Sequence, residues 1–175
     1  LARASIQKAV ELAPDRVQAR IMLSELFARD QDYKLAEKEA NEVLSKLPDH
    51  LQAQLILGSA LAAQGRIPEA EALFKRVVGR YPESPMGHFR MGRIYEVKKQ
   101  FEEASASYEK ALQLYPRGFD VLAALAALKV RLDRGTEAIS LCDAKLLEFK
   151  DSKEAVAIIE SIKGDVYAAL KNPAK

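Results

Sequence analysis

Side chains that bind metals or attack substrates are scarce in this chain: two histidines, His50 and His88, and one cysteine, Cys142. Metal ligands usually sit a few positions apart on one helix or loop. These histidines stand in different stretches of the chain, and neither lies in an HxxxH or HExxH context. Both read as surface or partly buried residues. Cys142 becomes a nucleophile only if a histidine or a helix N-terminus lowers its thiol pKa. It stands where a recurring pattern elsewhere places Phe74 and Tyr108, which points to a structural core cysteine. No GxGxxG or GxxxxGK[ST] run is present to cradle a phosphate. The carboxylates Glu37, Glu39 and Glu42, and Glu102 with Glu103, have the spacing of solvated helix faces with lysines nearby. A paired-carboxylate catalyst needs a cleft that holds its groups against a substrate. The expectation is a non-enzyme with no catalytic residue, no metal and no cofactor.

The elements that carry these residues follow from composition and period. With 49% hydrophobic residues and 175 positions, the chain can bury a core. The balance of 27 Lys and Arg against 25 Asp and Glu predicts no nucleic-acid footprint. One cysteine rules out a disulfide scaffold. Every apolar run is broken by Lys or Arg before reaching the ~20 residues of a membrane span. Pro14, Pro48, Pro82 and Pro116 are each 34 apart, and so are Ala2, Ala36, Ala70, Ala104 and Ala138. A third series at that interval is small (Ser24, Gly58, Gly92, Ala126) and a fourth is large and aliphatic (Leu23, Leu57, Met91, Leu125). Agreement among four registers marks an internal repeat.

Each unit reads as two helices. In residues 51–84, Leu55, Ile56, Leu57, Ala60 and Leu61 recur at helical spacing until Gln64-Gly65-Arg66. Ala70, Leu73, Phe74, Val77 and Val78 then resume the pattern as far as Pro82. Gly65 suits a left-handed helix stop. Asp15, Asp49 and Asp151 are expected N-caps, with Ser84 capping ahead of Pro85. The small residues permit close crossing within a hairpin, with Gly58 expected to face the Ala70 turn and Gly92 the Ala104 turn. One hairpin cannot bury both its faces, so neighbouring hairpins must supply the stability. The first residues have the register of a second helix without its partner, which predicts an exposed apolar patch of Ile6, Ala9 and Val10.

These residues resemble the tetratricopeptide repeat, a 34-residue helix–turn–helix. In 85–118 the resemblance rests on Met91-Gly92, Tyr95, Phe101, Ala104, Tyr108, Ala111 and Pro116; in 51–84 on Leu57-Gly58, Leu61, Gly65, Ala70, Phe74 and Pro82; and in 17–50 on Leu23-Ser24, Phe27, Tyr33, Ala36 and Pro48. It implies an all-α α-solenoid: a right-handed superhelix of antiparallel helix pairs, about ten helices. The single array divides into 1–16 (the second helix of a truncated repeat), full repeats 17–50, 51–84 and 85–118, a degenerate repeat 119–152, and a long terminal helix over 153–172. In the degenerate repeat Lys129 and Gly135 replace aromatics and Lys150 replaces the proline. Gly164 falls one helical turn later than the period counted from Ala126 would place it, which reads as a first helix lengthened by a turn.

The resemblance further implies that first helices line a concave groove for a partner's peptide or helix. The residues placed there are Gln18, Ile21, Met22, Glu25 and Arg29, then Gln52, Leu55, Ile56, Ser59 and Ala63. The third repeat adds Met86, Phe89, Arg90, Arg93 and Val97, and the fourth Asp120, Ala123, Ala124 and Ala127. A Lys/Asn/Arg clamp for a terminal carboxylate, found in some chaperone-binding members, is absent here, since Ile21, Glu25, Ile56 and Phe89 hold its positions and only Arg93 fits. Met22, Leu55 and Ile56 equally suit packing between adjacent helices. Phe89 with Arg93 is the favoured contact site.

The leading function is a protein–protein interaction scaffold, part of a larger protein of this family. Alternatives are a nucleic-acid reader, opposed by the modest charge, a periplasmic or lipoprotein scaffold in envelope or exopolysaccharide export, and the repeat arm of an enzyme whose catalytic domain lies elsewhere. The expected partner is a protein or peptide, without nucleic acid or membrane insertion, and with self-association through the N-terminal end open. The sequence leaves the location open, cytoplasmic or bacterial periplasmic.

Overall fold

A computed structural model describes residues 5, 6, 8, 10, 12, 13 and 16–171. Among the described residues it holds nine helices and no strand: α1 (Val17–Arg29), α2 (Tyr33–Lys46), α3 (Leu51–Ala63), α4 (Ile67–Arg80), α5 (Pro85–Val97), α6 (Phe101–Leu114), α7 (Phe119–Arg131), α8 (Gly135–Glu148) and α9 (Lys153–Lys171). Ser5, Ile6, Lys8, Val10 and Leu12 are also helical. First helices begin at 17, 51, 85 and 119, and second helices at 33, 67, 101 and 135, so the sequence period is a structural period. Two compact units, Leu1–Glu83 and Ser84–Lys175, each have a core of their own.

The turn inside each hairpin needs one residue with left-handed backbone. Those residues are Gln31 (φ 64°), Gly65 (φ 78°), Lys99 (φ 60°) and Asp133 (φ 60°), again 34 apart. Only at 65 does the chain use the residue type for which this conformation is free of strain. Two expected N-caps are displaced by one residue. The helix α3 is capped by His50, whose Nδ1 accepts from the Ala53 N–H at 3.3 Å, while Asp49 pairs with Arg80 at 2.6 Å. Similarly Ser152, not Asp151, accepts from the Ala155 N–H at 3.3 Å. Ser84 caps α5 as expected, accepting from the Gly87 N–H at 3.1 Å. Asp15 lies outside the described residues.

Close crossing governs the interior, with a different partner from the one expected. A methyl group on Gly58 would lie 2.6 Å from the ring of Phe74, and one on Gly92 would lie 2.4 Å from the ring of Tyr108. Each glycine thus makes room for an aromatic one helical turn beyond the alanine expected to face it. Where the first-helix register carries Ser24 or Ala126, the second-helix register carries Ala40 or Cys142 in place of an aromatic. Ser24 then donates its hydroxyl to the Ala36 carbonyl at 2.7 Å. Bulk removed from one helix is therefore added to the other.

The fourth repeat departs from the pattern and is compensated. Lys129, in the register of Phe27, Leu61 and Tyr95, keeps its side chain only 12% exposed and meets Glu137 at 2.9 Å and Glu109 at 3.5 Å. Gly135 holds the register of Tyr33, Ile67 and Phe101. A methyl group there would fall 2.4 Å from Leu170, which reaches over from the last turn of α9. That helix has 19 residues where the other first helices have 13, and its added length brings Leu170 to the site of the absent aromatic. At the other end, the expected exposed patch is corrected. Val10 is buried with Leu23, Phe27, Ala36 and Ala60, and Ile6 packs partly buried against them, because α1 and α2 already offer that segment an apolar face. Ala9 lies outside the described residues.

Candidate peptide-binding surface

The ten residues assigned to a peptide groove fall into two sets, one on each unit. In the first unit Gln18, Glu25 and Gln52 are exposed, and Leu55 and Ser59 are half-buried. The Gln52 side chain donates to Glu25 at 2.6 Å, tying the outer faces of α3 and α1 together. Ser59 donates to the Leu55 carbonyl of its own helix at 2.7 Å. Ile21 is a correction: it is completely buried against Val43 and Ala53, with Ile56 packed beside them, so it has no surface to offer a peptide. Met22 remains 46% exposed. With Ile6, Glu25, Leu26 and Arg29 it lines a shallow cleft of about 200 Å³.

In the second unit the four residues lie on α5, with Met86 and Arg93 exposed and Phe89 and Arg90 half-buried. The Phe89 ring lies 5.7 Å from the ring of the fully buried Tyr108, tilted by 47°, and the Arg90 guanidinium lies 5.7 Å from the Phe89 centroid. Such a cation over an aromatic face is attractive, more so when partly desolvated. Burial pushes the Arg90 guanidinium below its usual pKa, the Asp120 carboxylate opposes that, and the Arg93 charge adds to it. Arg93 makes a long contact with Glu96, 3.8 Å. Glu96 has stronger partners in the Tyr108 hydroxyl, which donates to it, and in Arg131 at 2.7 Å. Tyr108 is thereby fixed at both ends, and it holds Phe89 from beneath.

A feature the sequence only half revealed lies between α7 and α9. Ala123 and Ala127, already assigned to the groove, join Ala126 and Val130 as one wall of a cleft of about 350 Å³. The opposite wall is α9, through Ile162, Asp165, Val166 and Ala169. The signal available in the sequence was the run of alanines at 123, 124, 126 and 127, together with a terminal helix in first-helix register. Among the described residues no group of three or more His, Cys, Asp or Glu is placed to hold a metal, and no helix is long and apolar enough to cross a membrane. Cys142 is buried, and that burial raises its thiol pKa.

Two family models, each described as tetratricopeptide repeat, match residues 1–50 and 36–85 in one case and 85–117 in the other. The chain belongs to the tetratricopeptide repeat family. Its fold is accordingly an all-α helical repeat of the solenoid class, and such repeats generally serve as non-catalytic scaffolds with protein partners. No curated protein matches the chain in sequence. Among solved structures, a thermophilic tetratricopeptide repeat protein of Thermus thermophilus, TTC0263, superposes with a TM-score of 0.77 at 19% identity, over 92% of this chain and 88% of that one. MamA (41-end) from Desulfovibrio magneticus RS-1 gives 0.67 at 21% identity, over 87% and 85%. A chain of the Naa15/Naa10 complex bound to HypK-THB gives 0.69 at 23% identity, over 91% of this chain but only 25% of that one. At these identities the likeness is one of fold.

Proposed function

We propose that this tetratricopeptide repeat chain is a protein–protein interaction scaffold, part of a larger protein, that receives a peptide or helix of its partner on the exposed faces of its first helices. The observation that carries this reading is the α5 surface. Exposed Met86 and Arg93 flank Phe89, which a fully buried tyrosine holds in place from behind and an arginine covers in front. Aromatic and arginine anchors held rigid before binding supply most of the energy of a protein interface. Adaptable methionines at the edge suit a helix or peptide laid across them.

The test is site-specific capture. A photo-crosslinking side chain at position 89 is expected to trap the partner, and one at Ala106, exposed on the second helix α6, is not. Phe89→Ala should weaken the partner by about tenfold or more, as for an interface anchor worth about 2 kcal/mol, with the helical content unchanged. Adducts formed only from position 106 would refute the reading.

A further inference from the structure

We propose that the cleft between α7 and α9 anchors one large apolar side chain of a partner helix, and that this helix carries a lysine or arginine three or four residues away which pairs with Asp165. The proposal rests on the scaffold reading above and names the chemistry of the partner. A volume of about 350 Å³ lies at the small end of ligand-sized cavities, right for a side chain or two but not for a folded domain. The α7 wall is made of alanines and a valine, so it stands low, and a helix can approach it closely as helices do over small residues.

Charge selects among apolar partners. Asp165 is the one charged residue on the walls; it is exposed and has no ion pair among the described residues. Both cations of α7 and the α9 cation nearest in sequence have partners of their own: Lys129 with Glu109 and Glu137, Arg131 with Glu96, and Lys163 with Asp143. An apolar floor with a carboxylate at its lip complements an apolar anchor beside a cation. Three or four residues is the spacing that puts both on one helical face. The ion pair would set specificity and encounter rate, and the anchor would set most of the affinity.

A display library of short helical peptides, randomised on one face and selected on the intact chain, tests this. Enriched peptides should place Leu, Met or Phe three or four residues from Lys or Arg. By fluorescence anisotropy, Ala127→Phe, which fills the cleft from an exposed position, should weaken the best peptide at least tenfold. Asp165→Lys should reverse the preference between that peptide and its Lys→Glu version. Both variants must keep the wild-type circular dichroism spectrum. Enrichment without a cationic bias, or binding indifferent to Ala127→Phe, overturns the proposal. Peptides that survive Ala127→Phe but are lost with Phe89→Ala overturn it and leave the scaffold reading standing. Binders that respond to neither variant, with photo-adducts only from position 106, overturn both.

Discussion

Replacing helical glycines by alanine separates packing from helix propensity, because four of them sit in opposite surroundings. In an open helix the change is stabilising by about 0.8–1.0 kcal/mol. Gly164, within α9, has no atom within 4 Å of the position its methyl would take, and the same holds for Gly79, near the end of α4. Gly58 and Gly92 instead face aromatic rings at 2.6 and 2.4 Å. Phe74 is 1% exposed and Tyr108 is 0% exposed, so neither ring can swing into solvent. Overpacking of that kind costs about 1–3 kcal/mol, which outweighs the propensity gain. Gly164→Ala should therefore raise the free energy of unfolding by up to about 1 kcal/mol, and Gly92→Ala should lower it by about 1–2 kcal/mol. Urea denaturation followed by circular dichroism reads both. A companion pair tests the exchange of bulk between helices: Gly58→Ala with Phe74→Cys installs the combination found at Ala126 and Cys142. Phe74→Cys alone should cost about 3 kcal/mol by leaving a cavity. Combined with Gly58→Ala, the loss should fall short of the sum of the single losses by about 1–3 kcal/mol. The reasoning fails if Gly92→Ala and Gly164→Ala shift stability alike, or if the pair is additive.

Two further outcomes follow from the turns and the ion pairs. Lys99→Gly, at a left-handed position (φ 60°) that is exposed, should stabilise the second unit by about 0.5–1 kcal/mol, the difference between side-chain strain and the entropy of glycine; a lower urea midpoint would refute this. The Glu37 carboxyl is held below the usual range first by the Gln64 amide, which donates to it at 2.7 Å, and then by Arg66 at 2.8 Å. A lowered folded pKa contributes stability above the unfolded value of about 4.3, and that stability is lost as pH falls through the folded value. Glu37→Gln should flatten the acid limb of stability as pH falls below about 5, and an unchanged limb measured by urea titration would contradict the assignment.

The repeat and its helices were legible because the same packing problem recurs in every hairpin. Each hairpin needs a large aliphatic residue, a small neighbour and an alanine at fixed places, and interior positions cannot drift without a measurable loss. Cap residues were less legible: Asp49 and Asp151 satisfy the sequence pattern, but the adjacent His50 and Ser152 have the geometry to accept the first-turn N–H. Left-handed turn residues were legible only at Gly65, because Gln31, Lys99 and Asp133 are placed by their turns and not by their own preference. Ile21 illustrates the limit for the site. It lies among exposed neighbours Gln18, Met22 and Glu25, yet the crossing of α1 with α2 and α3 puts it fully inside, against Val43 and Ala53.

The departures from the period carry more information about binding than the period does. A residue that repeats is accounted for by packing, whereas one that breaks the pattern needs a local cause. In the fourth repeat the breaks form one arrangement. Gly135 leaves a space, and Leu170 fills it only because α9 runs past the length of the other first helices. The same length sets Val166 and Ala169 opposite Ala127 and Val130, where they make the second wall of the cleft. Lys129, which replaces an apolar residue on α7, pairs with Glu109 and Glu137 and does not line the cleft, so Asp165 is the one charged residue on its walls. A missing aromatic and a lengthened helix thus meet in α9, whose added length supplies both the side chain over Gly135 and part of the wall of an apolar cleft with a single carboxylate. Removing the last turn of α9 would therefore uncover Gly135 and take Ala169 from the cleft wall together.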